Sequence, residues 1–176
     1  MKSGFIAAVA ASLLLGVGVG YAAKYKGAGI DVIRGKSAKD AAESALQEGE
    51  RVAGGGSYEL IAVGRVYYLS GQKARGQAML DAVANGKSAS ASDYERIGDV
   101  YAQAGDNESA TVYYEKMMAV DPKDDSSQAL LGAWYIRLGQ REKGEDLLAR
   151  AMKKSPTSSD YYVRAAESLL GVAPGR

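Results

Sequence analysis

An all-α solenoid of helix-turn-helix repeats, with a leading half-repeat and a C-terminal capping helix, follows from three features of the sequence. Glycine recurs every 34 residues as Gly64, Gly98 and Gly132, and again as Gly71, Gly105 and Gly139. The same frame carries Tyr67, Tyr101 and Tyr135, then the small Gly76, Ala110 and Gly144, then the large apolar Leu80, Tyr114 and Leu148. Ser88, Pro122 and Pro156 close the three copies. A fixed period of this length, without insertions, is the signature of stacked repeats that bury their apolar faces against one another.

Bulk composition agrees. The chain has 176 residues, 47% hydrophobic and 24% charged, which suits one folded domain. Its formal charge of +1 points neither to a nucleic-acid polyanion nor to an anionic membrane surface. There is no cysteine and no histidine. Disulfides, thiolate or imidazole metal sites, cysteine nucleophiles and histidine acid–base pairs are therefore excluded.

Residues 1–22 read as a secretory signal peptide. Lys2 supplies a basic start, residues 4–20 carry no charge, and the small residues suit cleavage after Ala22 or Ala23, the first fitting better because Tyr21 is bulky for the outer small site. The alternative is an uncleaved anchor, since the run approaches the length needed to cross a ~30 Å hydrocarbon core. Both readings place the rest of the chain outside the cytoplasm, with the periplasm as the expected compartment. Residues 23–36 form a linker, and the repeat domain is expected over 37–170.

The first helix starts at Ser37, an N-cap with Asp40 three residues on. Ala38, Ala41, Ala42, Ala45, Leu46 and Val52 give it an apolar face, and Gly54-Gly55-Gly56 ends it. Ala42 and Leu46 occupy the slots of Ala110 and Tyr114, so this is the second half of a repeat without its first half. Three full units follow at about 57–90, 91–124 and 125–158. In the middle one, Ser92 and Glu95 have the capping-box spacing, Gly105 ends the first helix, and Asp106 or Asn107 caps the second. That second helix halts at Asp121-Pro122. A mid-helix glycine costs ~1 kcal/mol relative to alanine. Gly64, Gly98 and Gly132 therefore imply a close approach to facing helices at Gly76, Ala110 and Gly144. Residues 158–170 repeat the first-helix frame through Tyr162, Ala165, Ala166 and Leu169. Asp160, Arg164, Glu167 and Ser168 offer the polar outer face that a terminal cap requires.

These slots resemble the tetratricopeptide repeat family. Its Trp–Leu–Gly–Tyr–Ala–Phe–Pro pattern falls on Tyr94, Ile97, Gly98, Tyr101, Ala110, Tyr114 and Pro122. The third copy departs from it with Gln128 at the first large slot, and the first copy with Ser88 in place of proline. The resemblance implies that the first helices of the units line a concave surface. By spacing, that surface would carry Tyr58, Ile61, Arg65, Tyr68 and Leu69 from the first unit, and Glu95, Asp99, Ala102 and Gln103 from the second. Ala129, Ala133, Ile136 and Arg137 would follow from the third, with Asp160, Val163 and Glu167 from the last helix. Some relatives clamp a peptide carboxylate with lysine, asparagine and arginine in such slots; Glu95, Asp99, Ala129 and Ala133 make that mode absent here.

The expected role is thus a non-catalytic binding module for a protein or peptide bearing a basic residue. Tyr58, Arg65, Tyr68, Glu95, Asp99, Gln103 and Arg137 are the candidate partner-binding residues. The plain alternative makes Glu95 a helix cap, Arg65 and Asp99 solvated charges, and Tyr58 and Tyr68 packing residues. No catalytic, cofactor or metal site is expected: Asp124-Asp125 and Glu142, Glu145 and Asp146 fall at helix starts or on helix surfaces, where the dipole alone favours them. Lys153-Lys154 is too small for a nucleic-acid footprint.

Overall fold

The structure, a computed structural model, describes residues 27–172. The leader read over residues 1–22 lies outside the described residues. Eight α-helices follow a short 3₁₀ turn at Gly29–Val32, and no strand occurs among the described residues. They are α1 (Ala38–Ala53), α2 (Ser57–Leu69), α3 (Lys73–Ala84), α4 (Ala91–Gln103), α5 (Asn107–Val120), α6 (Asp125–Arg137), α7 (Arg141–Lys154) and α8 (Ser159–Leu170). α2 pairs with α3, α4 with α5, and α6 with α7; each pair packs more extensively than any helices from different units.

Local chemistry sets the ends of these helices. The Asp40 backbone N–H donates to the Ser37 hydroxyl at 3.2 Å, and Gly54 ends α1 in the left-handed conformation with φ 58°. Within each pair the turn is built the same way. Gly71, Gly105 and Gly139 have φ of 96°, 76° and 80°. The next residue's N–H then reaches back to the recurring tyrosine's carbonyl: Gln72 to Tyr67 at 2.9 Å, Asp106 to Tyr101 at 2.9 Å, Gln140 to Tyr135 at 2.8 Å. This is the Schellman closure, and glycine takes its positive φ without a Cβ penalty. Asp106 caps α5 by accepting from the Ser109 N–H at 3.0 Å.

The cap of α4 corrects the sequence reading. The box is Ser90 with Asp93, not Ser92 with Glu95: the Asp93 N–H donates to Ser90 Oγ at 3.2 Å, and the Ser90 N–H to Asp93 at 2.9 Å. Asp93 is buried, and the serine's two bonds keep its carboxyl below the usual carboxylate range against the opposing effect of burial.

The glycine slots are points of backbone contact. A Cβ on Gly76 would lie 2.6 Å from the Gly64 carbonyl oxygen, and one on Gly132 2.8 Å from that of Gly144. The middle unit solves the same problem differently: a Cβ on Gly98 would strike the Tyr114 ring at 2.6 Å. At the start of the third unit, Gln128 is buried and its side-chain amide donates to the Pro122 carbonyl at 2.8 Å. The polar residue thus clips the preceding loop to α6 without disturbing the packing.

Aromatic rings carry the core across unit boundaries. Tyr68 meets Tyr101 edge-on at 5.2 Å, and Tyr101 stacks on Tyr113 at 5.4 Å. Burial pushes the Tyr101 hydroxyl well above its ordinary pKa and Tyr113 up to about 12, the latter also because it donates to Asp81. At the far end, Asp125 ties α6 to its successors. It accepts a hydrogen bond from the Ser155 hydroxyl and pairs with Lys154 at 3.2 Å. The Ser155 bond above all, then one from Tyr161, holds its carboxyl far below the usual range.

One expectation about α8 is reversed. Arg164, Glu167 and Ser168 turn toward α4 and α6, whereas the open end of the array presents Tyr162, Val163, Leu169 and Leu170.

Two outcomes follow. Gly144→Ala places a methyl against the Ile136 backbone and side chain, at 2.9 and 2.6 Å. Overpacking of ~1–3 kcal/mol outweighs the helix-propensity gain of ~1 kcal/mol, so thermal melting followed by circular dichroism falls by several degrees. Asp125 binds a proton more weakly folded than unfolded, so its stabilisation is present above the unfolded pKa of about 4 and is lost as pH falls through the depressed folded value. Urea midpoints compared at neutral pH and below pH ~4 should drop less in Asp125→Asn than in the parent chain.

Candidate partner-binding groove

α2 touches α4 and α6 touches α8, but every Cα of α4 stays more than 8 Å from every Cα of α6. The gap is a groove. Tyr114 of α5 and Trp134 of α6 occupy its floor, meeting edge-on at 5.2 Å. The Tyr114 ring reaches this position because Gly98 leaves the flank of α4 bare, and its hydroxyl then donates to the neighbouring Asp99 carboxylate at 2.8 Å. The Trp134 indole N–H donates to Thr111 at 2.8 Å, which fixes the second ring. Both polar tips are satisfied within the wall, so the faces left toward the groove are apolar.

Above this floor the rim is charged. The main cavity, about 230 Å³, is bordered by Glu95 and Asp99 from α4, Ala133 and Arg137 from α6, and Arg164 and Glu167 from α8. An adjoining hollow of about 320 Å³ shares Glu95, Leu130 and Arg164 with it and continues to Asp121 and Asp124. Five carboxylates (Glu95, Asp99, Glu167, Asp121, Asp124) thus face two arginines along one channel. Arg164 is itself paired with Asp160 at 2.6 Å. The balance is acidic.

Glu95, Asp99 and Arg137 therefore lie together here, with Ala133 and Glu167. The other predicted residues lie elsewhere. Arg65 donates to the Gln103 side chain at 2.8 Å, a bridge between α2 and α4 one unit away from the groove. Tyr58 is exposed with the Arg96 guanidinium 5.0 Å from its ring centre. Tyr68 is a core residue, buried against Tyr101, and Ile61, Ala129 and Ile136 are buried too. Sequence reading missed Tyr114, Leu130, Trp134, Arg164 and Val172 as lining residues. A hint was present in the middle unit, whose Tyr114 stands where the other units have leucine.

Among the described residues no group of acidic side chains is placed to hold a metal ion, and no helix is long and apolar enough to cross a membrane.

The fold these features define is an all-α helical repeat of the tetratricopeptide type, and a tetratricopeptide repeat family model matches residues 101–169. Over 82 residues the chain is 28% identical to the protein CTR9 homolog of Arabidopsis thaliana, a match spanning 47% of this chain and 8% of that protein. In three dimensions it superposes on MamA with a TM-score of 0.54, covering 76% of this chain and 80% of MamA at 16% identity.

Proposed function

We propose that this chain is a non-catalytic protein-interaction module, an adaptor or assembly factor, that seats a peptide segment of its partner in the groove between α4 and α6. The observation that carries the reading is the pairing of an apolar aromatic floor with an acidic rim. The floor of Tyr114 and Trp134 suits an apolar anchor side chain, and the carboxylates above it suit a lysine or arginine beside that anchor. Tetratricopeptide-type repeats in general hold protein partners on such surfaces, which supports the same assignment.

Export is part of the proposal and rests on residues 1–22 alone. Mass analysis of the protein recovered from cells separates its two forms: a chain beginning at Ala23 or Lys24 means a released protein. One retaining Met1 in the membrane fraction means a tethered accessory subunit of an envelope secretion, pilus or polysaccharide-export machine.

The groove is tested with a displayed peptide library. Peptides with lysine or arginine next to an apolar residue should be enriched, and salt should weaken their binding. Glu95→Lys combined with Asp99→Lys should lower their affinity by about tenfold or more, ~1.4 kcal/mol or above, with the helical circular dichroism signal retained. Trp134 is the single tryptophan and is built into the floor, so its emission should shift on binding. Enrichment of acidic peptides, or binding that leaves Trp134 emission unchanged, would move the site off this groove.

A further inference from the structure

The hollow beside the aromatic cavity carries three carboxylates: Glu95 on α4, Asp121 at the end of α5 and Asp124 at the start of α6. The loop that joins α5 to α6 fixes two of them. Asp121 Oδ1 accepts from the Lys123 N–H at 2.9 Å, and Asp124 Oδ2 from the Ser127 N–H at 2.7 Å. The Asp124 N–H donates in turn to the Asp121 carbonyl at 3.1 Å. The second oxygen of each aspartate makes no hydrogen bond or ion pair among the described residues. A further acceptor comes from a different observation. Ser127 is only 6% exposed and lines the hollow, yet its hydroxyl bonds to no described residue. Among those residues the one sealed side-chain polar atom without a partner is the Tyr67 hydroxyl, so that of Ser127 opens into the hollow. A largely buried hydroxyl in this position costs free energy until a polar group reaches it. Ala91, Met117 and Leu130 complete the walls with apolar surface.

Such a space suits a cation on an apolar stem. Arg164, the cation in its wall, is paired with Asp160 at 2.6 Å, and Lys123 of the joining loop is exposed and not part of the wall. The amino ends of α4 and α6, which would otherwise attract an anion, are capped by Ser90 with Asp93 and by Asp124. How the acceptors are divided then decides between the two basic side chains. A guanidinium gains its advantage from two parallel bonds to both oxygens of one carboxylate. Each aspartate here has already given one oxygen to a backbone N–H. An ammonium needs no such fork, because it sets three donors on single oxygens of separate groups.

We infer that the hollow is a subsite for a lysine of the partner and that it selects lysine over arginine. It acts on a peptide seated in the groove, and so rests on that reading. The lysine methylenes lie along Met117 and Leu130, and the ammonium meets Asp121, Asp124 and the Ser127 hydroxyl. Glu95 and Leu130 border both cavities, which makes this lysine a close neighbour of the anchor residue above Tyr114 and Trp134.

The test uses the full chain and a displayed library in which one apolar residue is fixed and its neighbours vary. Relative to the unselected library, lysine should outnumber arginine about tenfold at one neighbouring position, the discrimination of one hydrogen bond to a charged group. Asp121→Asn with Asp124→Asn keeps an oxygen for each backbone N–H and removes both charges, so the ratio should fall to near one. Asparagine caps a helix as well as aspartate does, and circular dichroism should show the same helix content. Ser127→Ala should lower the ratio several-fold without touching a charge. Equal enrichment of lysine and arginine by the parent chain, among peptides that shift Trp134 emission, overturns the lysine subsite and leaves the groove standing. A lysine preference that survives the double asparagine variant overturns it as well. Retained peptides that leave Trp134 emission unchanged overturn the groove and the subsite with it.

Discussion

The approach of two helix backbones inside each unit is the constraint on which the array depends. At Gly64 against Gly76 and at Gly132 against Gly144 there is no room for a methyl group, so the pairs lock through backbone-to-backbone contact. Glycine in mid-helix forfeits about 1 kcal/mol of propensity, which the closer packing offsets. The middle unit keeps Gly98 but uses the space for the ring of Tyr114. That single change links fold to site. A ring laid across the bare flank of α4 carries its hydroxyl to Asp99 and gives the groove one wall of its floor.

Affinity and selectivity would come from different parts of this groove. Tyr114 and Trp134 bond through their polar tips to Asp99 and Thr111, which leaves ring faces to bury apolar area at little conformational cost. The rim works over a longer range. Carboxylates at partly exposed positions contribute modestly to a final complex but reject acidic partners and speed the arrival of basic ones. Arg137 and Arg164 interrupt the acidic run, so the proposed channel would favour a basic residue at particular positions along a peptide and not a uniformly basic stretch.

The period made the helix pairs, the glycine turns and the contact slots legible, because each is a local requirement repeated three times. Where the sequence reading went astray, the deciding term was not local. Ser90 with Asp93 and Ser92 with Glu95 have the same spacing; burial of Asp93 at the junction with the first unit selects between them. Tyr68 stands at the margin of the concave face, and an edge-on contact with Tyr101 from the next unit draws it into the core. Trp134 and Tyr114 read as packing residues because they sit in or beside core slots. They face the groove only because α4 and α6 stand apart, a distance that no spacing within one helix encodes.

Repeat arrays hold together through nearest-neighbour contacts, so their stability varies along the chain. α1 contains no buried residue. Arg75 anchors it, pairing with Glu43 at 3.0 Å and Glu50 at 2.8 Å, and ion pairs this exposed add little. The same guanidinium lies 4.1 Å from the Tyr67 ring centre, so docking of α1 and order in the first unit are coupled through one side chain. That unit also buries the Tyr67 hydroxyl without a hydrogen-bond partner, a defect worth about 1–3 kcal/mol. At the other end, α8 buries Tyr161, whose hydroxyl bonds to Asp125 of α6. The weakest region is therefore the amino-terminal end, while the groove lies between the second and third units, where Tyr113, Tyr114, Leu131 and Trp134 join one continuous core. Fraying of α1 can proceed without loosening the floor on which a partner would sit.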